Sequence, residues 1–322
     1  KEKAELQIAT EKLQQERESI QLAITKLEQE IAQDSDLGVK ADKQRQVAEH
    51  RKKLAEIDSR IAESLAQAVK AKDPEAVTIA ETWFDSSKYF LGDTFDGTMN
   101  YIFRDTALNI ASGSDVAGAY RNIELMRELY PAQAWRASMN LLSTHDTARS
   151  LWLLGDHGDD PAATALARRR YRLAVLMQVA WPGAPTVFYG DEVGVTGGED
   201  PDNRRTFPWA DTGGDPDMTT YAEMRKLIAL RRQHPILALG ELGAPLYTDA
   251  HVVVAPRTLQ DRVALVAVNN SDAERTVQID LPPTLRGRSY TDALTGQRLE
   301  AGPTIQLRLP PLFGAVLVSD GA

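Results

Sequence analysis

Two runs of apolar residues spaced seven apart, one on each side of a short Asp-rich break, commit the first 72 residues of this chain to paired helices. Leu6, Leu13, Ile20 and Leu27 form the first run, with Ile24 and Ile31 at the second seam position. Val47, Leu54, Ile61 and Ala68 form the other, joined by Ile57 and Leu65. A heptad of this kind puts one apolar stripe along a helix, and the stripe needs a second helix to leave water. The segment has no proline, no aromatic residue and one glycine, Gly38, so nothing interrupts either arm. Between the arms, Asp34-Ser35-Asp36-Leu37-Gly38 carries residues that end one helix and start the next. Each arm of roughly thirty residues spans about 45 to 50 Å. Matched arms around a short turn predict an antiparallel helical hairpin over residues 1–72. An extended coiled coil that associates with other chains is the alternative.

At Asp73-Pro74 the pattern changes to short apolar runs alternating with amphipathic helical stretches, as in a parallel α/β unit. Strands are expected near Val77 to Ala80, Thr98 to Tyr101, Ala137 to Leu142 and Thr186 to Tyr189. Helices should cover Val116 to Leu129, Ala163 to Val179 and Thr220 to Gln233. Four parallel strands are half of an eight-stranded barrel. Past Gly240 the helical period gives way to alternation at His251 to Ala255, Val263 to Asn269, Thr276 to Leu281, Thr304 to Leu309 and Ala315 to Val318. That predicts a small antiparallel β domain. The expected domains are therefore residues 1–72, 73–239 and 240–322.

Charge narrows the partners. The net charge is −9, and residues 1–72 balance 14 acidic against 14 basic side chains, so the excess lies beyond them. Nucleic acid and anionic membrane surfaces attract basic proteins and are not expected as partners. No apolar run approaches the length of a membrane span. Zero cysteines exclude disulfides and thiolate metal sites. The first residue is Lys1 rather than methionine, which leads us to expect a processed chain or a piece of a longer one. The compartment is not fixed, with the cytoplasm the favoured expectation.

The chemistry lies at the expected strand ends. Ala80-Glu81-Thr82-Trp83 follows the first strand, and Ser143-Thr144-His145-Asp146-Thr147 follows the third. In a parallel barrel the carboxyl ends of the strands face the cleft. Two carboxylates and a histidine there suit acid/base work on a sugar. Taken singly, each has an ordinary alternative: a structural Glu beside a Trp, and a helix cap with a satisfied histidine. Further on stand Val187-Phe188-Tyr189-Gly190-Asp191-Glu192-Val193-Gly194 and Thr196-Gly197-Gly198-Glu199-Asp200-Pro201-Asp202-Asn203-Arg204-Arg205. Asp93-Thr94-Phe95-Asp96-Gly97-Thr98-Met99-Asn100-Tyr101 precedes the second strand end. His157 and His234 have no partner at ligand spacing and are assigned nothing. Gly197-Gly198 lacks the strand-to-helix context of a phosphate loop.

In order and spacing these segments resemble the second half of the catalytic barrel of the α-amylase superfamily of glycoside hydrolases, in its neopullulanase, cyclomaltodextrinase and maltogenic amylase branch. The resemblance runs from about Gln67 through the C-terminal β domain. It implies a partial (β/α)8 (TIM) barrel, a C-terminal antiparallel β-sandwich domain and, in place of the first four strands, the N-terminal helices. It implies that Glu81 is the proton donor, with Trp83 beside it excluding water and meeting substrate. Asp146 then grips sugar hydroxyls and steadies charge at the anomeric carbon, and His145 binds the same ring. Asp200 and Arg204 inherit binding roles on the non-reducing side of the cut, with a surface salt bridge as the alternative. Tyr101 offers an aromatic face to a sugar or is ordinary core, and Glu192 is a structural hydrogen-bonding residue. No metal site or cofactor is expected, with calcium left open because some relatives bind it.

One departure matters. No segment matches the Gly-x-Arg-x-Asp motif that supplies the family's nucleophile. Arg104-Asp105 lies on the wrong strand and in the wrong context. The expected partners are an α-glucan oligosaccharide and a missing N-terminal half of the barrel, continuous with this chain or supplied by a second one. Two functions follow: a glycosidase or transglycosylase acting by a retaining mechanism on maltooligosaccharides, cyclodextrins or pullulan, or a non-catalytic amylase-like protein serving glycan binding or association.

Overall fold

Residues 2–320 are described by the structure, a computed structural model; the side chains of residues 2–7, Leu6 of the expected seam among them, lie outside the described residues. The chain divides into two units, Lys1–Ala80 with Ser86–Asp96 and Glu81–Asp85 with Gly97–Ala322.

In the first unit the long helices are α1 (Glu2–Gln33) and α2 (Leu37–Lys72). Asp36 caps α2: its carboxylate accepts from the N–H groups of Gly38 at 2.7 Å and Val39 at 3.1 Å, donors that a helix start otherwise leaves unpaired. Arg17 pairs with Asp58 at 2.6 Å, Arg51 with Glu28 at 2.7 Å and Lys43 with Glu30 at 3.3 Å. Partners fall back along α2 as they advance along α1, so the two helices run antiparallel. Leu13, Ile24, Val47 and Ile57 are buried. Near the end of α2 the buried residues are Ala62 and Ala66, whereas Leu65 is 50% exposed. There Ala66, Gln67 and Lys70 line a cavity with Gly92 to Asp96. Lys70 also pairs with Asp96 at 3.0 Å. Asp96 in turn accepts from the N–H of Thr78 at 2.7 Å, just before β1 (Ile79–Ala80).

In the second unit β2 (Gly97–Thr98), β3 (Met139–Leu141) and β4 (Ala184–Thr186) are the short parallel strands. Met99, next after β2, forms a parallel bridge to Met139, and β3 pairs with β4 from Met139–Ala184 to Leu141–Thr186. Helices α3 (Tyr101–Ser112), α4 (Val116–Leu129) and α5 (Ala132–Ala137) connect β2 to β3, and α6 (Ser150–Leu153) and α7 (Pro161–Ala180) connect β3 to β4. After β4 come α8 (Met218–Gln233) and α9 (Pro235–Leu239). Strand, helical crossover, parallel strand is the repeating unit of α/β folds. The buried Asn140 on β3 accepts from Asn100 Nδ2, just after β2, at 3.2 Å and donates to the Pro182 carbonyl, just before β4, at 2.8 Å. Gly183 passes so close that a Cβ there would fall on the Asn140 carboxamide.

Three expected positions shift. Tyr101 opens α3 instead of ending a strand, because Asn100 caps that helix by accepting from the N–H of Phe103 at 3.1 Å. Arg104 and Asp105 therefore lie on a helix, where Arg104 Nε donates to the Leu142 carbonyl at 2.9 Å. The last strand is Ala184–Thr186 rather than Thr186 to Tyr189. Phe188 and Tyr189 have left the sheet to lie under the Arg149 guanidinium, 4.2 and 4.7 Å from their ring centres.

The rest of the unit is antiparallel: β5 (Glu241–Leu242), β6 (Tyr247–Thr248), β7 (Val252–Leu259), β8 (Arg262–Asn269), β9 (Arg275–Asp280), β10 (Ser289–Asp292), β11 (Arg298–Glu300), β12 (Thr304–Leu309) and β13 (Phe313–Ser319). The main sheet has the order β11-β10-β13-β8-β7-β5, with β6 also on β7, and β12 pairs with β9 separately. Val254, Leu265 and Leu317 from the sheet join Val277, Ile279, Ile305 and Leu307 from the pair in one core. Each such side chain stabilises the fold by about 1.5–3 kcal/mol. The pair alternates buried and exposed residues, as one solvated face requires, whereas β7, β8 and β13 are buried on both faces. Gly314 permits this, since a Cβ would strike the Ala267 carbonyl and Leu176 of α7. On the opposite face of β7 from Val254, the fully buried Arg257 donates to the carbonyls of Ala180 and Gly240, closing the end of α7. Among the described residues, no helix is long and apolar enough to cross a membrane.

Candidate active site

Glu81 comes directly after β1 and is exposed. Its neighbour Thr82 is buried and shares a hydrogen bond with the Thr98 hydroxyl at 2.7 Å, which fixes this short segment to β2. Trp83 is 52% exposed. Its ring stacks on Tyr101 with centroids 3.8 Å apart and planes 15° from parallel. Tyr101 itself is only 1% exposed. The aromatic face open to a ligand here is therefore that of Trp83, and Tyr101 supports it from beneath instead of meeting a sugar directly.

The Tyr101 hydroxyl donates to Thr144 Oγ1 at 3.4 Å, and that oxygen accepts from the N–H of Asp146 at 3.2 Å. Burial raises the Tyr101 phenol above its ordinary value; the Thr144 hydrogen bond opposes this, and the charges of Glu81 and Asp146 both add to the rise.

On the other side of Asp146 the site is charged. His145 Nε2 is 3.3 Å from Asp146 Oδ1. Arg204 Nε is 2.9 Å from Asp200 Oδ1 and donates to the His145 carbonyl at 3.2 Å, while its Nη2 is 3.8 Å from Asp146 Oδ1. His145, Asp146, Asp200 and Arg204 form one cluster at the surface, each more than a third exposed. The arrangement can grip hydroxyls with acceptors and donors of both charges.

Beneath it lies a layer that sequence reading did not single out. Arg149 is fully buried and pairs with the buried Asp191 at 3.1 Å. Burial pushes the Asp191 carboxyl up to about 6, against the attraction of Arg149 and a hydrogen bond from Ser143. Arg149 also donates through Nε to the Asn203 carbonyl at 2.7 Å and through Nη1 to that of Tyr189. The buried Asn203 donates to the carbonyls of His145 at 2.7 Å and Thr147 at 3.0 Å. Asn203 stands inside a segment quoted above and Arg149 two residues after another, but only geometry distinguishes them from their neighbours. Glu192, expected to be a structural hydrogen-bonding residue, is half-buried, with no partner for Oε2 among the described residues. Nor do the described residues include a group of three or more His, Asp or Glu able to hold a metal ion.

The family model for the alpha amylase catalytic domain matches residues 30–229. The amylopullulanase of Thermoanaerobacter thermohydrosulfuricus is 34% identical over 283 residues, covering 79% of this chain and 19% of its own length. The cyclomaltodextrinase of Geobacillus thermopakistaniensis (strain MAS1) is 34% identical over 270 residues, covering 81% of this chain and 43% of its own length. Among solved structures, a cyclomaltodextrinase superposes with a TM-score of 0.67 at 28% identity, covering 83% of this chain and 44% of that one. The chain thus spans less than half the length of these relatives.

Proposed function

Because this chain belongs to the alpha-amylase catalytic-domain family, we propose that it carries the acid/base side of an α-glucan hydrolase or transglycosylase. The observation that carries this reading is the stack of Trp83, two residues after Glu81, on Tyr101, whose hydroxyl donates to Thr144, two residues before Asp146. Glu81 gives its proton to the glycosidic oxygen as the bond to the anomeric carbon breaks. Asp146 and His145 hold the hydroxyls of that ring, and their hydrogen bonds strengthen as positive charge develops. A nucleophilic aspartate about 5 Å from Glu81 would form the glycosyl intermediate. Glu81, now a carboxylate, takes a proton from water or from a sugar hydroxyl, whose oxygen then displaces the aspartate. Water gives hydrolysis; a sugar gives transfer. Trp83 covers an apolar sugar face, and Asp200 with Arg204 holds the neighbouring sugar.

Strands bearing a Gly-x-Arg-x-Asp segment, upstream in the same polypeptide or on a second chain, supply the nucleophile in this reading. They also cover the free edge of β4, which pairs only with β3 among the described residues. Residues 1–72 are then a helical hairpin before the fifth barrel strand, residues 73–239 the second half of the barrel and residues 240–322 the β domain. Cyclodextrins, pullulan and maltooligosaccharides are the substrates, and the cytoplasm the working compartment. The lack of a Gly-x-Arg-x-Asp segment in these 322 residues favours one second reading, a non-catalytic glycan-binding protein.

The deciding experiment assays the chain, with and without the upstream half, on β-cyclodextrin and maltotriose. Turnover should need both parts and should fall about 10²- to 10⁴-fold in Glu81→Gln. Binding without turnover in the completed protein would favour the second reading.

A further inference from the structure

We propose that Arg149 and Asn203 are positioning residues that clamp the His145–Asp146 loop onto the Asp200–Arg204 loop and so set where the Asp146 carboxylate stands. The inference rests on the glycosidase reading and deepens it.

The two carbonyls that accept from Asn203, those of His145 and Thr147, flank Asp146 on both sides. Both partners are acceptors, so the Asn203 carboxamide must present its NH2 to them, and neither Asp nor Leu could replace it. Its Oδ1 is buried with no hydrogen-bond partner among the described residues, so its bonding is directed at this one loop. Arg149 closes the circuit from the other end. It leaves the same loop two residues after Thr147, donates to the Asn203 carbonyl and the Tyr189 carbonyl, and is anchored on Asp191. Its own N–H donates to the Gly197 carbonyl at 2.9 Å, at the start of the other loop. Both side chains are fully buried. Neither can touch a sugar, but together they fix the backbone on each side of a carboxylate that can. A displacement of about 1 Å at such a group costs about a hundred-fold in rate.

The test compares Asn203→Ala and Arg149→Lys with the wild type in the full-length protein, measuring kcat and KM on maltotriose and the His145 imidazole signal by NMR. The expected result in variants that melt above the assay temperature is a fall of about a hundred-fold in kcat with KM within about three-fold, and a shifted or broadened His145 signal. A structural role alone would lower the melting temperature and leave both readouts unmoved. Wild-type kcat with an unmoved His145 signal in the two variants would overturn the clamp. If the wild type turns over no glucan, the glycosidase reading fails by itself, and the His145 signal still decides: moved supports the clamp, unmoved rejects it.

Discussion

The indole of Trp83 lies on the ring of Tyr101, 3.8 Å between centroids, and only the upper partner of this stack is open to solvent. Trp83→Ala should therefore remove a sugar platform and expose Tyr101, while Trp83→Phe keeps much of it. A stacked aromatic pair is worth about 0.5–1.5 kcal/mol, and 1.4 kcal/mol is about ten-fold in affinity. Steady-state kinetics on maltotriose should show KM raised about three- to ten-fold in Trp83→Ala, with kcat changed less. An unchanged KM would remove Trp83 from the binding surface.

Asp191 gives the stability curve an unusual slope. Its carboxyl is held near 6 in the folded protein, against about 3.9 when unfolded. Between those values the unfolded chain has lost the proton and the folded one keeps it, so stability falls as pH rises from about 4 to about 6. Asp217 behaves oppositely: despite burial, hydrogen bonds from Thr220 and the charge of Arg168 hold it below its ordinary value, so its contribution is lost as pH falls below about 4. Melting temperatures from about pH 2 to about pH 7 should show the Asp191 decline flattened in Asp191→Asn, with the acid limb unchanged. A persistent decline in the variant would assign it elsewhere.

Arg257 faces carbonyls rather than a carboxylate: burial pushes it down to about 9, and it donates to Ala180 and Gly240. In Arg257→Leu those carbonyls lose their donors inside the protein, at about 1–3 kcal/mol for each group left unpaired. Denaturant unfolding should place the variant less stable by about 2–5 kcal/mol in total. A loss below about 0.5 kcal/mol would mean water or another donor takes over.

Ile57 is buried on α2 and Leu65, eight residues on, is half exposed. Placing Asp at each separates the packed seam from the stretch beyond it. Ile57→Asp buries a charge without a partner and should reduce helicity by circular dichroism. Leu65→Asp should leave the spectrum unchanged. Equal effects at the two positions would contradict this account of where the seam ends.

Periodicity made part of this structure legible in advance. The helix Val116–Leu129 and the strand Thr304–Leu309 occur at their expected bounds because each carries an unambiguous repeat and a clear cap or turn. The start of helix α3 reads as the end of a strand because Tyr101, Ile102 and Phe103 are residues that strands favour. The last parallel strand was placed too late because Pro185 reads as a breaker, although an edge strand tolerates it. In the site, the candidate residues were legible as chemical types at strand ends. The burial of Tyr101 and the clamp through Arg149 and Asn203 were not, because both depend on contacts between segments distant in sequence.

The central claim is that Glu81 and Asp146 work on one glucose ring. A crystal structure of the completed Glu81→Gln protein with bound maltotriose tests it most directly. The account predicts one glucose whose hydroxyls bond to Asp146 and whose glycosidic oxygen is within hydrogen-bond reach of the side chain at position 81, about 2.6–3.2 Å. A sugar held by only one of the two positions, with the other turned to a separate surface, would contradict it.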